Sequence, residues 1–310
     1  MATTTSITTT YAGESAGKWI SAALLSGSTL ANDLITIMPN VKHKAVVKSL
    51  NTDDIVKDAS CDYTDTSTVT IAERIITPEQ QQVNLTLCKK DFQSDWDAIS
   101  MGYSSHDVIP KSFADHMISY VAGKVAQRTE NSIWEGDTST SGQFDGFSKI
   151  LKADSGVSDI SATASTSANV VTELGKVLDA VPSAVYGQED LTIYASPNII
   201  RSYVRALGGF AATIGGNGVD SKGTMWYGGQ ALSFDGVRLV QANGLANNTA
   251  VAAQKSNLFF GTGLLSDQNE VKILDMADLD GSMNVRVVMR FSAGVQFGTA
   301  ADIVYYAEDV

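Results

Sequence analysis

Cysteine, histidine, proline and basic residues are all scarce in this chain, and each scarcity closes off a class of protein. Two cysteines in 310 residues, Cys61 and Cys88, are too few to staple a small secreted module, so both are expected to be free thiols. Three histidines, His43, His106 and His116, form no Cys/His set at metal-ligand spacing and leave no imidazole base beyond residue 116. Lys plus Arg totals 22 against 34 Asp plus Glu, a formal net charge of −12. A protein that grips DNA phosphates over much of its surface carries the opposite sign. No run approaches the ~20 apolar residues that cross a bilayer. Met1 to Thr10 (MATTTSITTT) has neither the basic nor the apolar part of a signal peptide. The expectation is a soluble chain, cytoplasmic when made, with no membrane partner. Five prolines, 26 glycines and recurrent Ser/Thr patches suit long strands and mobile loops more than a compact enzyme.

What is present is enough to build a core. Hydrophobic residues make up 44% of the chain and charged ones 18%, which excludes a disordered tail, a coiled coil and a collagen-like fibre. Residues 1–18 hold almost no apolar side chains and read as an arm that is disordered or laid on a partner. Trp19 to Met38 carries a short apolar stretch closed by Pro39. From Val41 to Cys88 the texture is β: a strand with Lys42, His43, Lys44 and Lys48, then a polar middle with Asp53, Asp54, Asp58, Asp62 and Asp65. VTIAERII (69–76) and VNLTLC (83–88) follow, the latter alternating with period two. This predicts a long hairpin with a charged tip. A lone two-stranded ribbon is marginal in water, so a neighbouring subunit is expected to cover it.

Asp107 to Glu135 reads as one long helix: Asp107 caps, Pro110 sits in the first turn, and Phe113, Met117, Tyr120/Val121 and Val125 recur at helical spacing. Its length of roughly 40 Å at ~1.5 Å per residue exceeds an ordinary globular helix. Residues 155–169 read as a boundary loop. Beyond it a helix (170–181), a strand (191–195) and a helix opened by Ser196-Pro197 announce a mixed α/β region. Residues 207–230 hold eight glycines with Trp226 and Tyr227 near the end, a long loop; strands dominate thereafter, at 236–241, 257–260, 271–274, 285–291 and 303–306.

Three motifs suggest chemistry and lack its context. Gly13-Glu14-Ser15-Ala16-Gly17 fits the G-x-S-x-G elbow of serine esterases, yet only twelve residues precede it, too few for the strands and oxyanion loop that the elbow requires. The same stretch approaches a phosphate-binding loop through Gly17-Lys18, but Trp19 stands where a Mg²⁺-holding hydroxyl belongs. Asp275, Asp278, Asp280 and Gly281 suggest a calcium loop whose phase puts Met276 and Val287 at ligand positions; a solvated acidic turn is the simpler reading. The basic group Lys42/His43/Lys44/Lys48 could bind phosphate or meet an acidic patch on a neighbour, and the excess of acid favours the neighbour.

The order of elements (polar arm, long hairpin, very long helix, α/β insert with a Gly-rich loop, closing strands) resembles the major capsid proteins of tailed bacteriophages with the HK97-like fold. The passage IITPEQQQVNLTLCKKDF (75–92) followed by Trp96 looks like the exit from that family's extended (E) loop. ASPNIIRSYVR (195–205) looks like a strand-to-helix passage of its axial (A) domain, and NLFFGTGLL (257–265) with 285–306 looks like its closing strands. The resemblance implies an α+β fold with an N-terminal arm at 1–40, an E-loop β-hairpin at 41–88 and a peripheral (P) domain at 89–164 whose spine helix is 107–135. An A domain at 165–270 and C-terminal strands at 271–310 that return to the P domain complete it. It further implies a non-enzymatic shell subunit without cofactors or metals, forming hexameric and pentameric capsomers around double-stranded DNA held by weak contact only. Lys42, Lys44, Lys48, Trp226 and Tyr227 are the expected inter-subunit contacts. A separate scaffolding protein (the arm is short), a portal protein and decoration proteins are the expected partners, with the virion as destination and host cytoplasm as place of assembly. An encapsulin-type compartment shell is the alternative with the same fold; the GESAG serine esterase is the alternative of another class.

Overall fold

The computed structural model describes residues 28–41, 43–52, 55–59, 61, 63, 65–88, 111–208, 232–263, 272–277 and 281–308. The GESAG stretch, Lys42, His106, Trp226 and Tyr227 lie outside them. In chain order the elements are α1 (Ser28–Ala31), β1 (Thr36–Met38), β2 (Ala45–Thr52), β3 (Val69–Ile76), β4 (Glu79–Cys88) and α2 (Lys111–Glu135). Then come α3 (Phe147–Lys152), β5 (Ser158–Ser161), α4 (Val170–Asp179), β6 (Leu191–Ala195) and α5 (Pro197–Gly208). The chain closes with β7 (Leu232–Phe234), β8 (Val237–Gln241), β9 (Ala250–Gln254), β10 (Leu258–Thr262), β11 (Lys272–Asp275), β12 (Asn284–Phe297) and β13 (Val304–Ala307). It divides into two compact units, one of Met1–Ser26, Gln80–Arg128 and Leu264–Phe291, the other of Gly27–Glu79, Thr129–Gly263 and Ser292–Val310.

In the first unit β11 runs antiparallel to β12, from Lys272 opposite Val288 to Asp275 opposite Val285, and β4 also pairs with β12. Period two gives β12 two unlike faces. Val285, Val287, Met289 and Phe291 are buried, while Arg286 and Arg290 are exposed. On α2 the apolar stripe passes through buried Val121, whereas Tyr120 is exposed and lies under the Lys124 ammonium, 5.9 Å from its ring centre.

The second unit is built on a six-stranded sheet in the order β5-β13-β9-β6-β8-β7. β6 is buried at all five positions, so both of its faces must be covered. Ile193 and Ala195 meet a cluster that includes Val170, Leu174, Val177 and Leu178 of α4 with Ile199, Ile200 and Tyr203 of α5. These follow the i, i+3/i+4 rule of an amphipathic helix. Tyr194 packs on the Trp134 indole at 5.2 Å and donates its hydroxyl to the Leu34 carbonyl at 2.6 Å. The β7–β8 hairpin turns at Asp235-Gly236, both at positive φ, with Phe234 and Val237 paired beside them; glycine makes that two-residue turn inexpensive. In the same unit β1 lies parallel to β10, and β10 antiparallel to residues 293–297 of β12.

Three expectations change. The hairpin ends at Ile76, because β4 pairs with β12 and not with β3. The C-terminal strands part company: β11 and β12 pair with each other, and β13 lies between β5 and β9. The boundary loop at 155–169 contains β5, a short polar strand whose parallel partner β13 defines it. A four-residue edge strand carries no hydrophobic period of its own.

Glu130 ties the start of the described chain to α2. It is 1% exposed and accepts hydrogen bonds from the Thr29 backbone N–H at 3.1 Å and the Thr29 hydroxyl at 2.5 Å. That hydroxyl accepts from the Trp134 indole N–H at 2.9 Å. Burial raises the Glu130 carboxyl above its ordinary range, against the opposing pull of the Thr29 bonds. A raised carboxylate favours the protonated form in the fold, so this group's contribution is full at acid pH and declines as pH rises through the folded-state value. Glu130→Leu leaves two buried donors without an acceptor and is expected to cost about 2 kcal/mol. Glu130→Gln keeps an acceptor, removes the desolvated charge and should hold stability at neutral pH. Urea unfolding of both variants checks this, and equal losses would mean that the bonds to Thr29 carry no weight.

Candidate inter-subunit surface

Pairing of β2 with β3 sorts the hairpin side chains onto two faces. One carries the opposed pairs Val46/Ile75, Lys48/Glu73, Leu50/Ile71 and Thr52/Val69; the other carries Ala45/Ile76, Val47/Arg74, Ser49/Ala72 and Asn51/Thr70. The second face is anchored at its root. Ile76 is fully buried, and a side chain on Gly261 would meet its methyl at 2.8 Å, so only glycine admits it. The Arg74 guanidinium donates to the Gly298 carbonyl at 2.8 Å, pairs with Asp154 at 2.7 Å and sits 4.0 Å above the centre of the Phe297 ring. Asp154 is held below the usual carboxylate range by the Gly156 backbone N–H and by Arg74, against its own partial burial. Gln296 donates to the Ile75 carbonyl at 3.2 Å.

The first face has no such cover. Leu50 is 68% exposed, Ile71 62%, Val69 56%, Ile75 49% and Val46 45%. A single ion pair, Lys48 to Glu73 at 3.5 Å, crosses the stripe. The tip continues it: Tyr63 is 92% exposed, and Ile55 and Val56 are open as well. Strands this rich in aliphatic residues normally turn them inward; an apolar sheet face left to water marks an interaction surface.

Of the contacts expected from sequence, Lys44 and Lys48 are exposed on this hairpin, while Lys42, Trp226 and Tyr227 fall outside the described residues. The basic stem is weaker than its composition suggests, because Lys48 is matched by Glu73. Sequence reasoning missed the aliphatic face and the inward Arg74. The first was legible in VTIAERII, where Val69, Ile71 and Ile75 share a parity broken only by Glu73.

A cleft of about 390 Å³ in the second unit is lined by Glu135, Asp137, Ser148, Lys149 and Glu308 among others. Its polar groups serve each other: Glu135 accepts from the Ser148 hydroxyl and the Ala246 N–H, and Glu308 accepts from Asn248. Lys149 binds both Asp137 and Asp145, and its hydrogen bond lowers the Asp137 carboxyl to about 2. The stability that Asp137 contributes is therefore present above the ordinary carboxylate range and lost as pH falls from about 4 towards 2. Among the described residues no three His, Cys, Asp or Glu side chains converge as a metal site, and no helix is long and apolar enough to cross a membrane. Cys61 is exposed and Cys88 half-buried, both free thiols.

No family model and no curated protein matches the sequence. Solved structures do. A capsid described as that of a native GTA particle aligns over 93% of this chain and 92% of its own, at 13% identity and a TM-score of 0.62. A Gordonia phage Cozz chain covers 93% and 88% at 14% identity and 0.59; the capsid of Myoviridae phage XM1 covers 93% and 94% at 9% identity and 0.59. Shared shape across nearly the full length at such low identity assigns the HK97-type fold of phage capsid proteins to this chain.

The exposed face should be a matter of association alone. Leu50→Asp with Ile71→Asp changes two side chains already in water, so the circular dichroism and unfolding midpoint of the monomer should stay within about 0.5 kcal/mol of the parent. Its light scattering at high concentration should fall. A collapse of the fold would show that the hairpin face is internal.

Proposed function

We propose that the chain is a major capsid protein, assembling as hexamers and pentamers into an icosahedral shell around double-stranded DNA, with no catalytic role. The observation that carries this is the hairpin: a ribbon clamped at its root by Ile76 and Arg74 and open along an aliphatic face, in a chain of the HK97-type fold. In the terms of that fold, residues 45–76 act as the E loop, α2 as the spine helix and the six-stranded sheet with α4 and α5 as the A domain. The neighbours' character as capsid proteins supports a structural role, as does the −12 charge. A shell wall must not hold its genome in the tight, salt-dependent grip of a basic surface. Lys42, Lys44, Trp226 and Tyr227 are further contacts between subunits, and separate scaffolding, portal and decoration proteins complete the particle.

Replacing residues 53–67 by a short Gly/Ser turn should leave both compact units folded and prevent closed shells, leaving monomers or isolated rings. Electron microscopy of the full chain and of the deletion decides the matter. Closed particles from the deletion would remove the hairpin from its role, and a parent chain that is monomeric under all conditions would remove the shell.

A further inference from the structure

A fully buried carboxylate is normally matched by a cation, and Glu130, 1% exposed, is not. Its hydrogen bonds come from Thr29, through the backbone N–H at 3.1 Å and the hydroxyl at 2.5 Å, and from the Ser28 hydroxyl at 3.4 Å. Three elements surround it. α1 brings Ser28 and Thr29, α2 brings Trp134, and the loop after β8 lays the Gly244 backbone against the Glu130 carbonyl. From that loop Asn243 also donates to the Ser28 hydroxyl at 3.5 Å. None of these side chains is charged, and among the described residues no cation bonds to Glu130. On α2 itself Arg128 is exposed two positions earlier, on the far side of the helix. Glu135 is engaged by Ser148 and the Ala246 N–H.

The turn that covers this carboxylate has little else to hold it. Of residues 28–33 only Thr29 is buried. Asp33, the one charged residue among them, pairs with Lys255 at 2.5 Å, but an exposed acid on a half-buried lysine contributes little. Apolar anchoring begins one residue later. Leu34 and Ile35 are buried, and Tyr194 donates to the Leu34 carbonyl at 2.6 Å. Asp33 marks the boundary with a φ of 51°, a conformation that a residue with a side chain adopts when its surroundings hold it there. A polar flap thus adjoins a firmly seated strand, and segments with so few buried apolar contacts open locally before the rest of a fold.

We propose that residues 28–33 are a proton-linked latch on α2, a turn that opens as a local unit about Asp33 and opens more readily as pH rises. Docking the turn and burying Glu130 are one event, because the turn covers the carboxylate with its own donors. Opening returns the carboxylate to water, where it ionises in its ordinary range. Closing takes a proton back, because burial raises the group. The docked turn is fully favoured below the ordinary carboxylate range and loses that advantage as pH rises through the docked value. Six released residues extend over at most about 20 Å, so the latch sets how far the chain leading to Ser28 can reach. This is a property of the single chain and stands or falls independently of the shell.

Hydrogen exchange of the full, unassembled chain reads the latch, with each amide corrected for its intrinsic pH-dependent rate. The N–H groups of Thr29, Asn32, Asp33 and Leu34 are bonded to Glu130 or within the turn, and β6 serves as the reference for global opening. From about pH 5 to about pH 8 the protection of these amides should fall severalfold relative to β6. Glu130→Gln keeps an acceptor for Thr29 and removes the titration, so the protection of the turn should no longer vary with pH. Asp33→Asn, which breaks the pair with Lys255 alone, should leave the pH dependence in place. A parent chain whose turn shows flat protection relative to β6 overturns the latch, whether or not the Gln variant folds. So does a pH dependence that survives in Glu130→Gln, one that vanishes in Asp33→Asn, or a turn that exchanges only together with β6.

Discussion

Arg74 does three things at once from the base of the hairpin. It donates to the Gly298 carbonyl, pairs with Asp154 and stacks on Phe297. Its five donors in a rigid planar fork allow this, where a lysine would offer one compact charge. Because Arg74 stands two positions before buried Ile76, its inward direction fixes the parity of the whole ribbon. Every residue of β3 at an even number turns to that face, and every odd one turns away. The exposure of Val69, Ile71 and Ile75 is thus a consequence of where Arg74 is held. A slip of one residue would turn that stripe to the anchored side and expose Ile76.

The same parity shows how far the sequence could be read. Alternation identified the strand at 83–88, the helical spacing of Val170, Leu174, Val177 and Leu178 identified one helix of the six-stranded sheet, and the Ser196-Pro197 opening identified the other, since all three signals are local. Which strand pairs with which is not local. VNLTLC at 83–88 follows VTIAERII so closely that a continued hairpin is the natural reading, yet β4 finds its partner in β12, some two hundred residues away in the chain. β9, with the sequence AVAAQ, has too little side-chain bulk to announce itself as a strand, although it lies centrally between β13 and β6. The resemblance in fold held because it rested on the order of elements, which survives where residue signatures do not.

The candidate surface was half legible for a related reason. Charged residues advertise themselves in composition, so the lysines of the stem and the aspartates of the tip were visible at once. Their worth depends on partners that composition hides: Lys48 is matched by Glu73 within the ribbon. The aliphatic stripe was visible as strand-forming sequence, but the strand signal assumes that apolar residues point inward. Only the anchoring of the opposite face reverses that assumption here.

Magnitudes then decide what kind of contact such a ribbon can make. Fully burying a Val, Leu or Ile side chain contributes about 1.5–3 kcal/mol. The five stripe residues are 45–68% exposed, so roughly half of that remains to be gained for each, on the order of 5 kcal/mol together. Association of two bodies costs about 4–15 kcal/mol in lost rigid-body freedom. One hairpin on one neighbour is therefore marginal, and charged groups at the tip add orientation more than affinity. On the capsid reading proposed above, each chain of a closed ring gives one such contact and receives another, and the final contact closes without a further rigid-body penalty. A weak, reversible contact of this size lets a misplaced subunit leave before closure and holds it afterwards, which a single strong interface would not allow.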